Sequence, residues 1–382
     1  MKFKGKFVLL TILSALIFLY LTNPYLPQAL YYNYVGIDDY PIFDNREVET
    51  GSPIDWPVKL WRESLPGDID SVFQPFEPVA FLIVQHDTIR FEKYWDDYGP
   101  HSWSNSFSMA KSIIGLLIGK AIEEGKIQSL DQPAADFIPV YRDQAPEMTI
   151  ENLLTMSSGL NWDESYGSPF SLTTQAYYGE DLPSLIDDLK TIEPPGVVWK
   201  YLSGNTQVLG MILMIATGKS ISEYASEVLW KPLGAQNKAL WSLDHEGGME
   251  KAYCCFNSNA RDFARLGQLL IEQGEFFGSR IINEAYISAA TTPASYLIDD
   301  EGKPVDHYGY QFWLLNHKGY DVVYYRGILG QYIMAIPDLD MVVVRLGHQR
   351  SSEKLEEHPK DVFIYLDTAL KLLTEQRNKI PS

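Results

Sequence analysis

From Phe7 to Leu21 every position is apolar or small, and Lys2, Lys4 and Lys6 stand just before this run. No further Lys or Arg follows until Arg46. This asymmetry predicts a cytoplasmic N-terminus with the rest of the chain across the membrane. The run is short for a spanning helix of about 20 residues and suits a signal peptide. No small-x-small cleavage site follows it, so residues 1–25 read as an uncleaved anchor ahead of a cleaved leader. Tyr20, Tyr25, Tyr31 and Tyr32 suit the membrane interface. Either reading puts the body in the periplasm or outside the cell. Residues 26–75 are rich in Pro, Tyr and Asp without a period, and predict a linker followed by an irregular wrap.

Beyond that point the pattern becomes regular. Val79–Gln85 and Thr88–Tyr94 are β-rich runs around His86-Asp87, which predicts a hairpin. The spacing then turns helical: Met109 to Glu124 closed by Gly125, a short helix from Thr149, Thr206 to Thr217, Ile221 to Trp230, and Ala260 to Gln273 closed by Gly274. A long aromatic loop, Asn161 to Phe170, lies among them, and loops of this length are often functional. Tyr308–Leu315, Tyr320–Tyr325, Gln331–Ile336 and Met341–Leu346 read as four successive strands, and Lys360 to Thr374 as a closing helix. Strands at both ends with helices between predict an α+β body. An antiparallel sheet is built from both ends of the chain, with flanking helices and a mostly helical insertion at about 108–250.

Composition narrows the classes. The chain has 382 residues, 46% of them hydrophobic, enough for a sizeable core. A formal charge of −19 argues against nucleic acid as a partner and against adhesion of the body to an anionic membrane. Its simplest meaning is solubility. The two cysteines, Cys254 and Cys255, are adjacent, and neighbouring cysteines rarely bridge; they read as two small side chains near a strand end. The seven histidines have no ligand spacing, so neither a metal nor another cofactor is expected. There is no Gly-x-Ser-x-Gly elbow, phosphate loop or dinucleotide fingerprint.

The candidate chemistry begins at Ser106-Phe107-Ser108-Met109-Ala110-Lys111, where a serine and a lysine stand three residues apart at the start of an apolar helix. Positions i and i+3 share a helix face. A helix N-terminus and burial together disfavour an ammonium group, and a neutral amine beside a hydroxyl makes an activated nucleophile. Ser-x-x-Lys arises about once by chance in a chain of this size. Ser351-Ser352-Glu353-Lys354 is such a match, and it lies in a polar run. The plain alternative for Ser108 and Lys111 is a helix cap and a solvated lysine. Tyr201 follows a Pro195-Gly196 turn just before a helix and can project into a cleft to move a proton. It is also one of 24 tyrosines, most of them ordinary half-buried residues. Gly327-Ile328-Leu329-Gly330-Gln331 interrupts the strand pattern, and could be a hairpin turn or a strand edge offering an N–H to an oxyanion.

Taken in this order, these pieces resemble the serine hydrolases related to class C β-lactamases and penicillin-binding proteins. The likeness covers about residues 76–375. Ser129–Pro133, Leu153–Leu160, Pro195–Tyr201 and Ala260–Gly267 also carry it. Tyr201–Thr206, Cys254-Cys255-Phe256 and Gly327–Gln331 are similar to the branch typified by 6-aminohexanoate-dimer hydrolase. The resemblance implies a β-lactamase/transpeptidase-like fold and a serine hydrolase domain at 76–382. It implies Ser108 as nucleophile, Lys111 as its base, and Tyr201 as proton shuttle. It also implies an oxyanion hole from the backbone N–H groups of Ser108 and Ile328, and Tyr166 as a substrate contact. β-Lactamases carry Tyr-x-Asn and Lys-Thr-Gly, where this chain has Tyr201-Leu202-Ser203 and Tyr325-Arg326-Gly327. Ser203 and Arg326 therefore stand at substrate-binding positions, with groups that recognise a β-lactam carboxylate missing.

The reading that follows is an exported hydrolase of a small ester or amide, working through an acyl-serine. One competitor is a D-alanyl peptidase or β-lactamase, for which Arg326 is the candidate carboxylate contact. Another is a membrane-tethered binding or sensor domain on a retired scaffold. The sequence leaves the oligomeric state open.

Overall fold

The computed structural model describes residues 2–378, with side chains from residue 11 onward. It opens with helices α1 (Lys2–Thr22) and α2 (Leu26–Tyr32) and strand β1 (Asn45–Val48). The runs flanking His86-Asp87 form the hairpin β2 (Pro78–Gln85) and β3 (Thr88–Tyr94). His86 and Asp87 have φ of 50° and 51°, the doubly left-handed geometry whose twist matches paired strands. Then come β4 (Ser104–Asn105), α3 (Met109–Glu123), α4 (Leu172–Tyr178) and α5 (Ser203–Thr217). They lead to β5 (Ala239–Ser242), β6 (Phe256–Ser258) and α6 (Ala260–Ile271). The last part holds β7 (Trp313–His317), β8 (Tyr320–Gly327), β9 (Gln331–Ile336), β10 (Met341–Gly347) and α7 (Lys360–Arg377).

The two ends of the chain meet in one antiparallel sheet, ordered β3-β2-β10-β9-β8-β7. Its seam pairs Val84 with Val342 and Leu82 with Val344. Every residue of β2 is buried, because the sheet is covered on both faces. Phe81 and Ile83 join the core under α7, with Phe73, Tyr365 and Leu366. Leu82 and Val84 join the core under α3 and α6, with Ile113, Phe263 and Leu266. Each such side chain contributes about 1.5–3 kcal/mol on burial. A second sheet, β1-β5-β6-β4, delivers the chain to the start of α3.

Three boundaries differ from the sequence pattern. The first C-terminal strand begins at Trp313 because Gln311 adopts a φ of 66° and gives its N–H to Leu154 O at 3.1 Å. Helix α5 begins at Ser203 rather than Thr206, for a reason given below. The helix from Ile221 is α-helical only to Ala225 and continues as a π turn over Ser226–Trp230. Residues 26–75 are more integrated than a linker: β1 pairs with β5, and Tyr32 stacks on Tyr178 of α4 at 6.4 Å.

One expectation is corrected, and a second goes without support. Cys254 and Cys255 form a disulfide with each other. In an extended strand adjacent side chains point to opposite faces, but Cys255 has a φ of 68°, and the kink lets the pair meet. The expected membrane anchor is not supported either: among the described residues, no helix is long and apolar enough to cross a membrane. The side chains of residues 1–10, on which part of that expectation fell, lie outside the described set.

Candidate active site

Ser108 stands at the junction of the two sheets, on the residue that starts α3. Strand β4 enters the turn, and Ser106 gives its N–H to Phe256 O at 2.9 Å. Phe107 is forced to a φ of 44° and gives its N–H to Asn105 Oδ1 at 2.8 Å. A bulky residue in that region costs on the order of 1–3 kcal/mol, a cost often met at functional turns. Ser108 occupies the N-cap position, yet its side chain caps nothing. Its Oγ instead lies 3.0 Å from Lys111 Nζ, on the next turn of the same helix face. Lys111 is 1% exposed, and its Nζ also donates to Tyr253 O at 3.0 Å.

The end of β8 packs directly on this turn. A Cβ on Gly327 would come within 2.3 Å of Ser106 O. Glycine is thus needed for the approach that brings Ile328 to Ser108. Ile328 and Ser108 both line one cavity, and neither backbone N–H has a hydrogen-bond partner among the described residues. Leu329 follows with a φ of 60°. Arg345, wholly buried on β10, fixes this turn: Nη1 donates to Leu329 O at 2.9 Å and to Gly330 O at 2.7 Å, and Nη2 donates to Phe76 O. Gln331 adds Nε2 donation to Ile328 O at 3.2 Å and to Gly347 O at 2.6 Å. Two N–H groups held in this way can receive a developing oxyanion.

Tyr201 is half-buried against Trp313, 5.3 Å between centroids, and Tyr308, 6.1 Å. Lys111 Nζ lies 5.1 Å from its ring centre. Among the described residues its hydroxyl has no hydrogen-bond partner, which leaves it free for substrate. Tyr308 is fully buried with an unpartnered hydroxyl, and burial raises its pKa far above the usual tyrosine value.

The aromatic loop is tied down by Glu164. Its carboxylate accepts from Ser203 N–H at 2.6 Å, Ser203 Oγ at 2.7 Å and Tyr166 Oη at 2.6 Å. It thereby caps α5 from a distant loop, which is why the helix starts at Ser203. The Tyr166 ring is 57% exposed, while burial of its hydroxyl and then the Glu164 charge raise its pKa. Tyr166 and Ser203 line the same cavity as Ser108, a space of about 840 Å³. Leu30 and Asn33–Gly36 form another part of its wall, and Cys254 and Arg350 border it too.

Arg326, a substrate-contact candidate from the sequence, has its side chain engaged on Trp313. It lies one residue beyond Tyr325, and strand alternation turns it to the opposite face. There its guanidinium carbon stacks 3.1 Å from the Trp313 ring centre and Nη1 donates to Glu357 O at 2.8 Å. It does not line the cavity. Three contributors were missed from the sequence: Glu164, Arg345 and the carbonyl of Tyr253. Arg345 had a readable signal, a lone charge inside the apolar run Met341–Leu346, since buried charges are rare without a task. The other two had none, because their partners are distant in sequence.

A family model described as Beta-lactamase matches residues 70–365. The 6-aminohexanoate-dimer hydrolase of Paenarthrobacter ureafaciens is 26% identical over 306 residues, covering 76% of this chain and 77% of that one. Penicillin-binding protein 4 of Amycolatopsis lactamdurans is 31% identical over 137 residues, 34% of each chain. A solved protein of Bacillus anthracis, provisionally named a 6-aminohexanoate-dimer hydrolase, superposes with a TM-score of 0.77 at 22% identity, covering 95% of this chain and 97% of that one. The octameric penicillin-binding protein homologue of Pyrococcus abyssi gives 0.63 at 21% identity, covering 80% and 77%. The structural likenesses speak of the fold, and the sheet and helices are those of the β-lactamase/transpeptidase-like architecture. On the family match, the chain belongs to the Beta-lactamase family, as a β-lactamase-fold hydrolase related to 6-aminohexanoate-dimer hydrolase.

Proposed function

We propose that this protein is a serine hydrolase that cleaves a small ester or amide through an acyl intermediate on Ser108. The observation that carries the reading is the 3.0 Å contact between Ser108 Oγ and buried Lys111 Nζ, facing a cavity with two free backbone N–H groups. Ser108 Oγ attacks the carbonyl carbon, and its proton passes to Lys111. The carbonyl oxygen takes up the electron pair and is held by the N–H groups of Ser108 and Ile328, each worth about 3–4 kcal/mol in the transition state. The C–O or C–N bond then breaks, and Tyr201 delivers the proton to the departing alcohol or amine. Water attacks the acyl-Ser108 ester, losing its proton through Tyr201 and Lys111, and the acid leaves as the serine is restored. Splitting one hydrolysis into two steps lowers each barrier. The Tyr201 hydroxyl is free to serve both steps. Tyr166 and Ser203 line the substrate space. The basic start and apolar run of residues 2–21 support export as part of this reading.

The test is intact mass after treatment of the wild-type chain and Ser108→Ala with a fluorophosphonate and, separately, with penicillin. A single fluorophosphonate adduct on wild type alone is expected, with loss of ester turnover in Ser108→Ala and an unchanged fold by circular dichroism. Adduct formation or turnover surviving in Ser108→Ala would overturn the assignment. Stable penicillin labelling would redirect the substrate to cell-wall peptides.

A further inference from the structure

One wall of the cavity comes from a stretch that the proposed chemistry does not use. Leu30, Asn33, Tyr34, Val35 and Gly36, at the end of α2 and just after it, border the same space as Ser108. From Leu26 to Ile37 this stretch holds no charged side chain. It is anchored on both sides of the wall, with Leu26, Ala29 and Ile37 buried in the main core. Asn105 ties it to the nucleophile's turn: its N–H donates to Ile37 O at 2.8 Å, while its Oδ1 accepts from Phe107 N–H at 2.8 Å. The first charges that follow are engaged elsewhere. Asp38 Oδ2 accepts from Tyr98 Oη at 2.6 Å and Asp39 Oδ2 from Gly36 N–H at 2.5 Å, and neither carboxylate lines the space. Against this fixed backbone Leu30 is 67% exposed and Tyr34 is 85% exposed. Apolar groups held open beside a pocket mark a ligand-binding groove. Phe107, Ile328 and Leu329 add apolar surface to the same space next to Ser108. A cavity of about 840 Å³ takes a ligand of drug size, far more than a short acyl group fills.

We propose that the Leu30–Gly36 wall binds an apolar arm of the substrate, so that the enzyme prefers esters or amides carrying an aliphatic chain of several carbons. This rests on the hydrolase reading above. Leu30, Val35 and the ring of Tyr34 can cover such a chain, and the wall offers no charge to a polar one. The chain leaves water as it is covered, and each methylene fully buried raises kcat/KM about fourfold. A stretch that reads as a linker in the sequence thereby sets the specificity of the site.

The test compares the full chain with the double variant Leu30→Ser and Tyr34→Ser, two exposed side chains outside the core. Para-nitrophenyl hexanoate against the acetate places the chain on the acyl side. Hexyl acetate against ethyl acetate places it on the alcohol side. In one of the pairs the ratio of kcat/KM, long over short, should favour the long chain in wild type by about thirtyfold. It should fall about tenfold in the double serine variant, the scale of nearly two methylenes returned to water. The apolar pair Leu30→Met and Tyr34→Phe should keep the wild-type ratio. A second measurement needs no catalysis: hexanamide, but not acetamide, should raise the melting temperature of wild type, and this shift should vanish in the double serine variant. Ratios left unchanged by the serine substitutions in both pairs would overturn the wall, as would a hexanamide shift that survives them. If wild type turns over none of the four esters and takes no fluorophosphonate, the hydrolase reading fails instead, and the melting shift alone decides the wall.

Discussion

Arg345 Nη1 and the carbonyl oxygen of Leu329 are 2.9 Å apart, a side chain of one strand holding the backbone turn that presents Ile328. The guanidinium is wholly buried, so the contact is not diluted by water. It acts on the site through geometry, since it touches no reacting atom. Arg345→Met should therefore lower kcat about tenfold to a hundredfold with little change in KM, the signature of an interaction made only in the transition state. The carbonyls left unpaired add a stability loss of about 1–3 kcal/mol, measurable by urea unfolding. A rise in KM at constant kcat would show that the turn shapes binding instead.

Lys111 is expected to act as a base, which separates it from a mere packing residue. Lys111→Ala should reduce kcat/KM for an ester by about 10²–10⁴, the range of general base catalysis. Lys111→Arg should not rescue it, because a guanidinium stays protonated. Ester kinetics and fluorophosphonate labelling rates read both variants. Recovery in the arginine variant would make the role one of positive charge alone.

Gly327→Ala probes the approach of the two halves of the site. The added Cβ would meet Ser106 O at 2.3 Å, a backbone atom with no room to yield. Gly327 has an ordinary extended φ of −114°, so backbone strain is not the cause of any effect. The turn that carries Ile328 must shift away from Ser108, and, on the proposed mechanism, a displacement of this kind can cost about a hundredfold in rate. Acylation by fluorophosphonate should slow in parallel with ester turnover; a normal rate would show that the turn absorbs the methyl.

Glu272 predicts a pH-dependent stability. Burial, and then the acidic neighbours Asp87 and Asp340, raise its pKa from 4.5 to about 7 in the folded protein. The folded state thus holds a proton that the unfolded chain releases. The stabilisation is complete below the ordinary carboxyl value and lost as pH rises through about 7. Glu272→Gln should raise the melting temperature at about pH 8 and leave it nearly unchanged at about pH 4. Equal effects at both values would remove the titration from the explanation.

Much of the fold was legible because its signals are local. The β-rich runs on either side of His86-Asp87 mark β2 and β3, and left-handed φ at both turn residues costs little where the hairpin twist demands it. Gly125, with a φ of 68°, ends α3 as a helix-stop glycine should. The start of α5 was misread because its cap, Glu164, comes from a loop 39 positions earlier. The vicinal disulfide was missed because only the kink at Cys255 brings the two sulfurs together. The stacking of Arg326 on Trp313 was not legible because one step along a strand reverses the face.

The sequence by itself determined the α+β layout and the nearness of Ser108 and Lys111, since residues three apart on a helix meet wherever that helix lies. The tertiary structure alone decided what surrounds them. It packed Gly327 against Ser106, turned Arg326 onto Trp313, buried Arg345 behind the Ile328–Gly330 turn, and opened Arg350 to the pocket. Gly327 and Ser106 are 221 positions apart, and even the nearer pairs, Arg326 with Trp313 and Arg345 with Leu329, lie 13 and 16 apart. They depend on register, strand facing and close packing, which local propensity does not encode.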